Sequence, residues 1–158
     1  MSALIEIADL LRRAGRVLAL THIAPDGDAI GSLLGFGWAL TAARPADHTL
    51  VLACAAPVPV QLQWLPGASN IVAEPAAGPW DAVVALDASD GQRLGAAFRP
   101  ADYGAAPIIV LDHHITNLRF GSLNYVDPSA AATAQIVVAL ADALAVTLSR
   151  EAAVCLLT

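Results

Sequence analysis

Four short apolar runs divide the chain, and each of them predicts a buried β-strand. The runs consist chiefly of Val, Leu, Ile and Ala, and this length and composition are typical of strands covered on both faces of a parallel sheet. Longer segments of helical character lie before the first run, between the first two runs and after the last one. The predicted strands cover residues 17–20, 49–55, 81–87 and 107–114, and the predicted helices cover about 3–14, 29–43, 130–144 and a last segment that begins near Ser149.

Strands that alternate with helices across short loops predict an α/β fold. We expect a mostly parallel sheet flanked by helices in three layers, forming one domain over residues 1–158. The second helix is nearly uncharged and carries Gly31 and Gly35 one turn apart, so one of its faces allows a neighbouring element to approach closely. We therefore expect this helix to pack beneath the functional site.

Composition and charge exclude several classes of function. Of the 158 residues, 57% are hydrophobic and 14% are charged, which is typical of a globular domain. The net charge is −6 and only 8 residues are basic, which disfavours binding to long nucleic-acid duplexes. No apolar run reaches the roughly 18 residues of a membrane-spanning helix. The N-terminal residues lack the order of a signal peptide, and Cys54 and Cys155 form no motif, so we expect a reduced, cytoplasmic protein.

Acidic and imidazole side chains collect at the carboxyl ends of three predicted strands. The carboxyl ends of parallel strands lie at one edge of the sheet, where ligands bind, so we expect these side chains to meet in one cleft. Crowded carboxylates repel one another and shift one another's pKa values, and bound cations relieve this repulsion. The residues are His22, Asp26 and Asp28 after the first strand, Asp87 after the third, and Asp112, His113 and His114 at the end of the fourth.

The donor types indicate which cations would bind. Carboxylates and imidazoles in numbers that exceed one coordination sphere predict two divalent ions, and Mn²⁺ suits this mixture better than Zn²⁺, with Mg²⁺ as the alternative. Two ions about 3.5–4 Å apart are a common device for in-line attack on phosphorus. The protein has only 8 basic residues. If it handles phosphates, metal ions must supply most of the positive charge, or else a segment outside this sequence supplies it.

Each residue alone also has a purely structural explanation. Asp28 could cap the helix that follows it, and Asp26 with Gly27 could form an ordinary turn. Asp112 could pair with an arginine, and one of the two adjacent histidines could be a core residue. Together, however, these explanations require several coincidences at three equivalent strand ends, so we favour the metal site.

The order and spacing of these residues resemble the motifs of the DHH phosphoesterases. The first motif, His-x-x-x-Asp-x-Asp, stands at residues 22–28, the second is the lone Asp87, and Asp-His-His at 112–114 is the third. The segment 124–137 is similar to the family's loop and small-residue helix. The resemblance covers essentially the whole chain and is closest to the bacterial oligoribonuclease and pAp phosphatase group.

The resemblance implies two metal ions with a shared ligand. One ion would be bound by His22, Asp26 and Asp87. The other would be bound by Asp28, Asp87 and His113, so Asp87 would bridge the two. A water between the cations, its pKa lowered by both of them, would be the nucleophile.

The resemblance assigns catalytic roles to the third motif and implies further parts of the protein. His114 would face the substrate phosphate, and Asp112 would support the adjacent histidines. An Asp-containing fourth motif, which completes the second metal site, and a smaller DHH-associated domain are expected beyond residue 158. We expect the chain without them to have weak activity or none. The oligomeric state stays open at this point, with a homodimer as one candidate.

These inferences predict a Mn²⁺-dependent phosphoesterase that hydrolyses short oligoribonucleotides or 3′-phosphoadenosine 5′-phosphate (pAp). Its partners would be phosphate-containing small molecules or short RNA. Enzymatic alternatives are hydrolysis of pApA derived from cyclic dinucleotides, and hydrolysis of pyrophosphate or polyphosphate. A non-catalytic nucleotide- or metal-binding regulatory module is an alternative from another class, which the complete ligand set of the first three motifs disfavours. A haloacid-dehalogenase phosphatase would use an Asp-x-Asp pair but has no use for Asp-His-His.

Overall fold

Within residues 2–44 and 48–158, which the computed structural model describes, five parallel strands form one sheet and four α-helices accompany it. The strands are β1 (Arg16–Leu20), β2 (Thr49–Ala53), β3 (Ala82–Leu86), β4 (Ile108–Asp112) and β5 (Leu123–Val126). The helices are α1 (Ser2–Arg13), α2 (Gly27–Ala42), α3 (Thr133–Ala143) and α4 (Arg150–Leu156). No helix in these ranges combines the length and the apolar character that crossing a membrane requires.

The strand order, β2-β1-β3-β4-β5, creates a switch point between β1 and β3. β1 pairs on both sides, with Leu18 opposite Val51 of β2 and Val83 of β3. After β1 the chain moves outward to β2, and every later strand is added on the other side of β1. The carboxyl ends of strands at such a point bound a crevice, which is the usual ligand position in an open α/β sheet. The predicted sheet is confirmed, and it is parallel throughout.

Two features differ from the sequence prediction by more than one or two residues at the end of an element. β5 is not predicted, because its four residues are all only partly buried and form no apolar run. It becomes a strand by pairing with β4, where Asp112 lies opposite Val126. α3 begins at Thr133 rather than near residue 130, because the carboxylate of Asp127 accepts hydrogen bonds from the N–H and hydroxyl of Ser129 and holds a turn there.

The two faces of the sheet are covered differently, one by α-helices and the other by loops and 3-10 helices. α1, α2 and α3 pack on one face, against strand residues such as Val17 and Val84. The opposite face is covered by loops and short 3-10 helices, two of which lie within Gly91–Ala97 on either side of a kink at Gly95, and these pack against residues such as Leu18 and Val83. The alternation of side chains along each strand divides the core between the two faces. The three-layer prediction is confirmed.

Glycines allow α4 to pack directly onto α2. A Cβ atom at Gly31 would lie 2.4 Å from the carbonyl oxygen of Cys155, and one at Gly35 would lie 2.4 Å from Cδ2 of Leu156. The predicted close approach on this face of α2 is therefore confirmed, and its neighbour is α4. The contact ties the last helix to the helix that begins directly after the first site loop.

Candidate metal centre

The loops after β1, β3 and β4 bring the predicted site residues to one edge of the sheet, at the switch point. Each of the seven has a side-chain nitrogen or oxygen within 4.0 Å of another member of the set. The predicted cluster is therefore present as one connected network. Its members are His22 and Asp26 after β1, Asp28 in the first turn of α2, Asp87 after β3, and Asp112, His113 and His114 at the end of β4.

Asp87 lies at the centre of this network. Its Oδ2 is 3.5 Å from Nε2 of His22. Its Oδ1 is 3.7 Å from Nε2 of His113 and 3.7 Å from Nδ1 of His114. Oδ1 also accepts a hydrogen bond of 2.9 Å from the hydroxyl of Thr133. The two oxygens of one buried carboxylate therefore face different sets of donors.

The backbone of Asp87 is in the left-handed region, with φ of +58°. This conformation costs a residue other than glycine about 1 kcal/mol, although Asp tolerates it better than branched residues do. The N–H of Asp87 still bonds to the carbonyl of Leu111, at 3.0 Å, so the strained residue remains attached to β4. Strain of this kind is concentrated at functional sites, where it orients a side chain that regular structure would place elsewhere.

Among the residues that the structure describes, two groups of three have ligand atoms close enough to share an ion. In each group these atoms lie within 4.8 Å of one another. The first group, which equals the set that the resemblance implies for one ion, consists of His22, Asp26 and Asp87. The second group consists of Asp87, His113 and His114. The resemblance implies Asp28 for this second ion, and Oδ2 of Asp28 is 3.7 Å from Nε2 of His113.

Hydrogen bonds to the backbone determine which nitrogen of two imidazoles faces the cluster. Nδ1 of His22 is 2.8 Å from the carbonyl oxygen of Ile23, and Nδ1 of His113 is 3.3 Å from that of Ala130. Because a carbonyl oxygen only accepts, each Nδ1 carries the proton, and Nε2 of the neutral ring presents a lone pair. Both Nε2 atoms face Asp87. Histidines that bind metals are oriented by this same arrangement.

A lone pair that faces a carboxylate oxygen needs a positive charge between the two atoms. In the metal-free protein a proton supplies it at His22, where the hydrogen bond to Asp87 raises the pKa of the imidazole against the opposing effect of burial. Burial disfavours ionisation of Asp87, but hydrogen bonds from His22 and Thr133 hold the pKa of its carboxyl below the usual range. The donor set therefore fits a divalent cation, which would take the place of the proton.

We expect stabilisation by Mn²⁺ to increase with pH between about pH 6 and pH 8, because metal binding must displace the proton from His22. With a chelator present, the stability of the metal-free protein is expected to fall as the pH rises. The raised pKa of His22 contributes stability that is present below about pH 6.5 and is lost as the pH rises through the folded-state value. Thermal unfolding with EDTA and with Mn²⁺ across this range measures both trends, and a Mn²⁺-induced shift that does not change with pH would contradict the assignment of His22.

Two of the aspartates also hold helices in place. Oδ1 of Asp26 accepts the N–H of Ala29 at 3.0 Å and caps α2. Asp28 accepts the N–H groups of Thr133 and Ala134, at 2.8 and 2.9 Å, and so caps α3 instead of its own helix. The helix-cap explanation that the sequence offers for Asp28 therefore applies to Asp26. Asp28 joins the first turns of two helices.

Asp112 is fully buried and organises the third motif. Its Oδ1 accepts hydrogen bonds from the N–H of His113, at 2.8 Å, and from Nδ1 of His114, at 2.7 Å. Its Oδ2 accepts the side-chain amide of Asn117 at 2.5 Å. The sequence left open that Asp112 pairs with an arginine. Within the described part of the chain its partners are instead these groups of His113, His114 and Asn117. With Nδ1–H of His114 donated to Asp112, Nε2 of that ring is available to a substrate.

Sequence reasoning does not identify Thr133 as part of the site. Its hydroxyl donates to Asp87 and its N–H donates to Asp28, so it contacts two predicted ligands at once. It lies in a tract of alanines that reads as helix interior, whereas the structure places it at the first residue of α3. The signal available in the sequence is the residue type itself, a single hydroxyl among the alanines of residues 130–134.

Fold and site together define a parallel α/β domain whose switch point carries a carboxylate and imidazole cluster suited to divalent cations. Residues 16–158 match the N-terminal domain of the DHH family, and the chain belongs to that family. The resemblance drawn from the three motifs is confirmed.

Two comparisons place the chain among known proteins. It is 38% identical over 155 residues to the bifunctional oligoribonuclease and PAP phosphatase NrnA of Thermus thermophilus, an alignment that covers 96% of this chain and 44% of the relative. It superposes on an exopolyphosphatase-related protein from Bacteroides fragilis with a TM-score of 0.86 and 23% identity, over 99% of this chain and 48% of that one. The chain thus spans less than half the length of either protein. The fourth motif and the second domain stay predictions.

Proposed function

We propose that this chain is the metal-dependent phosphoesterase domain of an enzyme that hydrolyses short oligoribonucleotides, pAp or both. The observation that carries the proposal is the position of Asp87, whose two oxygens face separate donor groups. A carboxylate that can bridge two ions is the hallmark of two-metal hydrolysis at phosphorus. The name of the Thermus relative, which includes oligoribonuclease and PAP phosphatase, supports the substrate class.

The residues present fit two divalent cations, which we propose to be Mn²⁺. His22, Asp26 and Asp87 would hold one ion, and Asp87, His113 and Asp28 would hold the other. Mixed carboxylate and imidazole donors suit Mn²⁺, and neither group of ligand atoms found among the described residues includes a thiol, which would select Zn²⁺. When bound, such ions neutralise phosphate charge and lower the pKa of water.

The remaining residues of the cluster position the reacting groups. Asp112 holds the Nδ1–H of His114, so Nε2 of His114 would be free to contact the substrate phosphate. Thr133 fixes Oδ1 of Asp87 and, through its N–H, one oxygen of Asp28. These buried hydrogen bonds set the geometry before substrate binds, which lowers the cost of reaching the transition state. A cytoplasmic location and a homodimer stay predictions.

Hydrolysis assays test this function directly. The chain with Mn²⁺ is incubated with pAp, with a short oligoribonucleotide and with inorganic polyphosphate. We expect slow release of inorganic phosphate from pAp and of mononucleotides from the RNA, both abolished by EDTA. Cleavage of polyphosphate alone would support the polyphosphatase alternative. Absence of both Mn²⁺ binding and hydrolysis would contradict the proposal.

A further inference from the structure

Arg93 lies on a turn that is anchored beside the first site loop. The turn follows Asp87 closely along the chain, and the carboxylate of Asp90 accepts the N–H groups of Gln92 and Arg93, at 2.8 and 3.1 Å. The carbonyl oxygen of Arg93 accepts the N–H of Ile23 at 2.7 Å. Ile23 is the residue directly after His22, so this hydrogen bond fixes the backbone of Arg93 next to the cluster.

Packing on both sides of Arg93 keeps this backbone in place. The next residue, Leu94, is fully buried in the second core. Gly95 then adopts φ of +62°, and a Cβ atom there would lie 2.6 Å from Cγ2 of Ile23. The turn and the loop after β1 therefore fit together without space for a side chain at Gly95. The backbone of Arg93 is therefore already ordered. Its side chain loses less conformational freedom on binding a ligand than a side chain on a mobile loop would.

The guanidinium of Arg93 differs from those of the other arginines in its burial and in its hydrogen-bond partners. Four of the eight arginines have guanidinium hydrogen bonds, namely Arg12, Arg16, Arg44 and Arg99. Three others are exposed to solvent, namely Arg13, Arg119 and Arg150. Arg93 is half-buried, and across residues 2–44 and 48–158 its guanidinium has no hydrogen bond or carboxylate within ion-pair distance. A partly desolvated cation without a partner is suited to an incoming anion.

The positive charge of Arg93 belongs to a turn that is hydrogen-bonded beside His22, through the N–H of Ile23 and the carbonyl oxygen of Arg93. The protein carries a net charge of −6, and the cluster itself contains four carboxylates, so an anionic substrate meets strong repulsion there. A positive side chain beside His22 counters that repulsion at the point where the phosphate must approach.

We propose that Arg93 binds the substrate phosphate at the His22 side of the cluster. The proposal rests on the phosphoesterase function given above and adds to it a residue outside the three motifs. Arginine presents a planar fork of donors that matches two oxygens of one phosphate group, which a lysine cannot reproduce. Arg93 thus orients the phosphate against the cluster, and it carries no proton in the reaction.

The test compares phosphate binding with metal binding. Calorimetry measures the affinity of adenosine 5′-monophosphate for the Mn²⁺-loaded chain and for Arg93→Gln, Arg93→Lys and Arg150→Gln, the last being an exposed arginine at the start of α4. We expect Arg93→Gln to weaken the binding of the nucleotide about tenfold or more, and Arg93→Lys to weaken it less. Arg150→Gln is expected to match the parent. Mn²⁺ affinity in Arg93→Gln is expected to equal or exceed the parent value, because a repelling cation has been removed.

The outcomes separate this proposal from the function on which it rests. Equal nucleotide affinity in Arg93→Gln and in the parent overturns the role of Arg93, even if the parent hydrolyses pAp. A variant whose Mn²⁺ affinity and melting temperature fall together with nucleotide affinity also overturns it, because Arg93 is then structural. Loss of nucleotide affinity in Arg93→Gln supports phosphate binding by Arg93. A parent that cleaves only polyphosphate would contradict the proposed hydrolysis of pAp and RNA without changing that result.

Discussion

Asp87→Asn is expected to reduce Mn²⁺ affinity at least about a hundredfold and to remove detectable hydrolysis. The change deletes the charge that both donor groups share while it keeps the size of the side chain. The backbone tolerates it, since Asn adopts the φ of +58° found at this position more readily than most residues do. An isothermal titration with Mn²⁺ measures the affinity and the number of ions bound.

The matched control for this variant is Asp142→Asn, which removes one carboxylate from an exposed position on α3. Both variants change the net charge equally, so a difference between them reports the site and not the overall field. We expect Asp142→Asn to bind Mn²⁺ as the parent does. If Asp87→Asn also retains parental affinity, the metal is bound elsewhere and the assignment of both donor groups is wrong.

Gly31→Ala is expected to lower the melting temperature by about 4–8 °C. The new Cβ atom would lie 2.4 Å from the backbone carbonyl oxygen of Cys155, so α4 must move away from α2. Overpacking of this kind costs about 3 kcal/mol in the free energy of unfolding, and the higher helix propensity of alanine recovers about 1 kcal/mol. Thermal unfolding followed by circular dichroism measures the result.

Gly37→Ala is the control in the same helix. Its Cβ atom would lie 2.9 Å from Cδ1 of Leu52, which is the end of a side chain that can rotate away. We therefore expect its melting temperature to stay within a few degrees of the parent, since about 1 kcal/mol corresponds to 2–4 °C in a domain of this size. Equal losses in the two variants would show that the packing of α4 on α2 contributes little to stability.

Local patterns in the sequence determined the main strands, the edge of the sheet that carries the site and the close approach at α2. Apolar runs located β1 to β4, and the rule for parallel strands placed the seven predicted residues at one edge of the sheet. The spacing of Gly31 and Gly35 indicated a close neighbour for α2. These inferences succeed because side-chain periodicity and strand-end position depend on residues that are near one another in the chain.

The tertiary structure alone decided how the site is assembled. The direction of the Asp87 carboxylate depends on a left-handed backbone residue that no pattern marks. Asp28 meets the N–H of Thr133 across 105 positions of sequence, and the carbonyl of Arg93 is held by Ile23 across the switch point. β5 exists because β4 pairs with it. Contacts of this kind are set by the packing of distant elements, so only the folded chain shows which polar groups share a hydrogen bond.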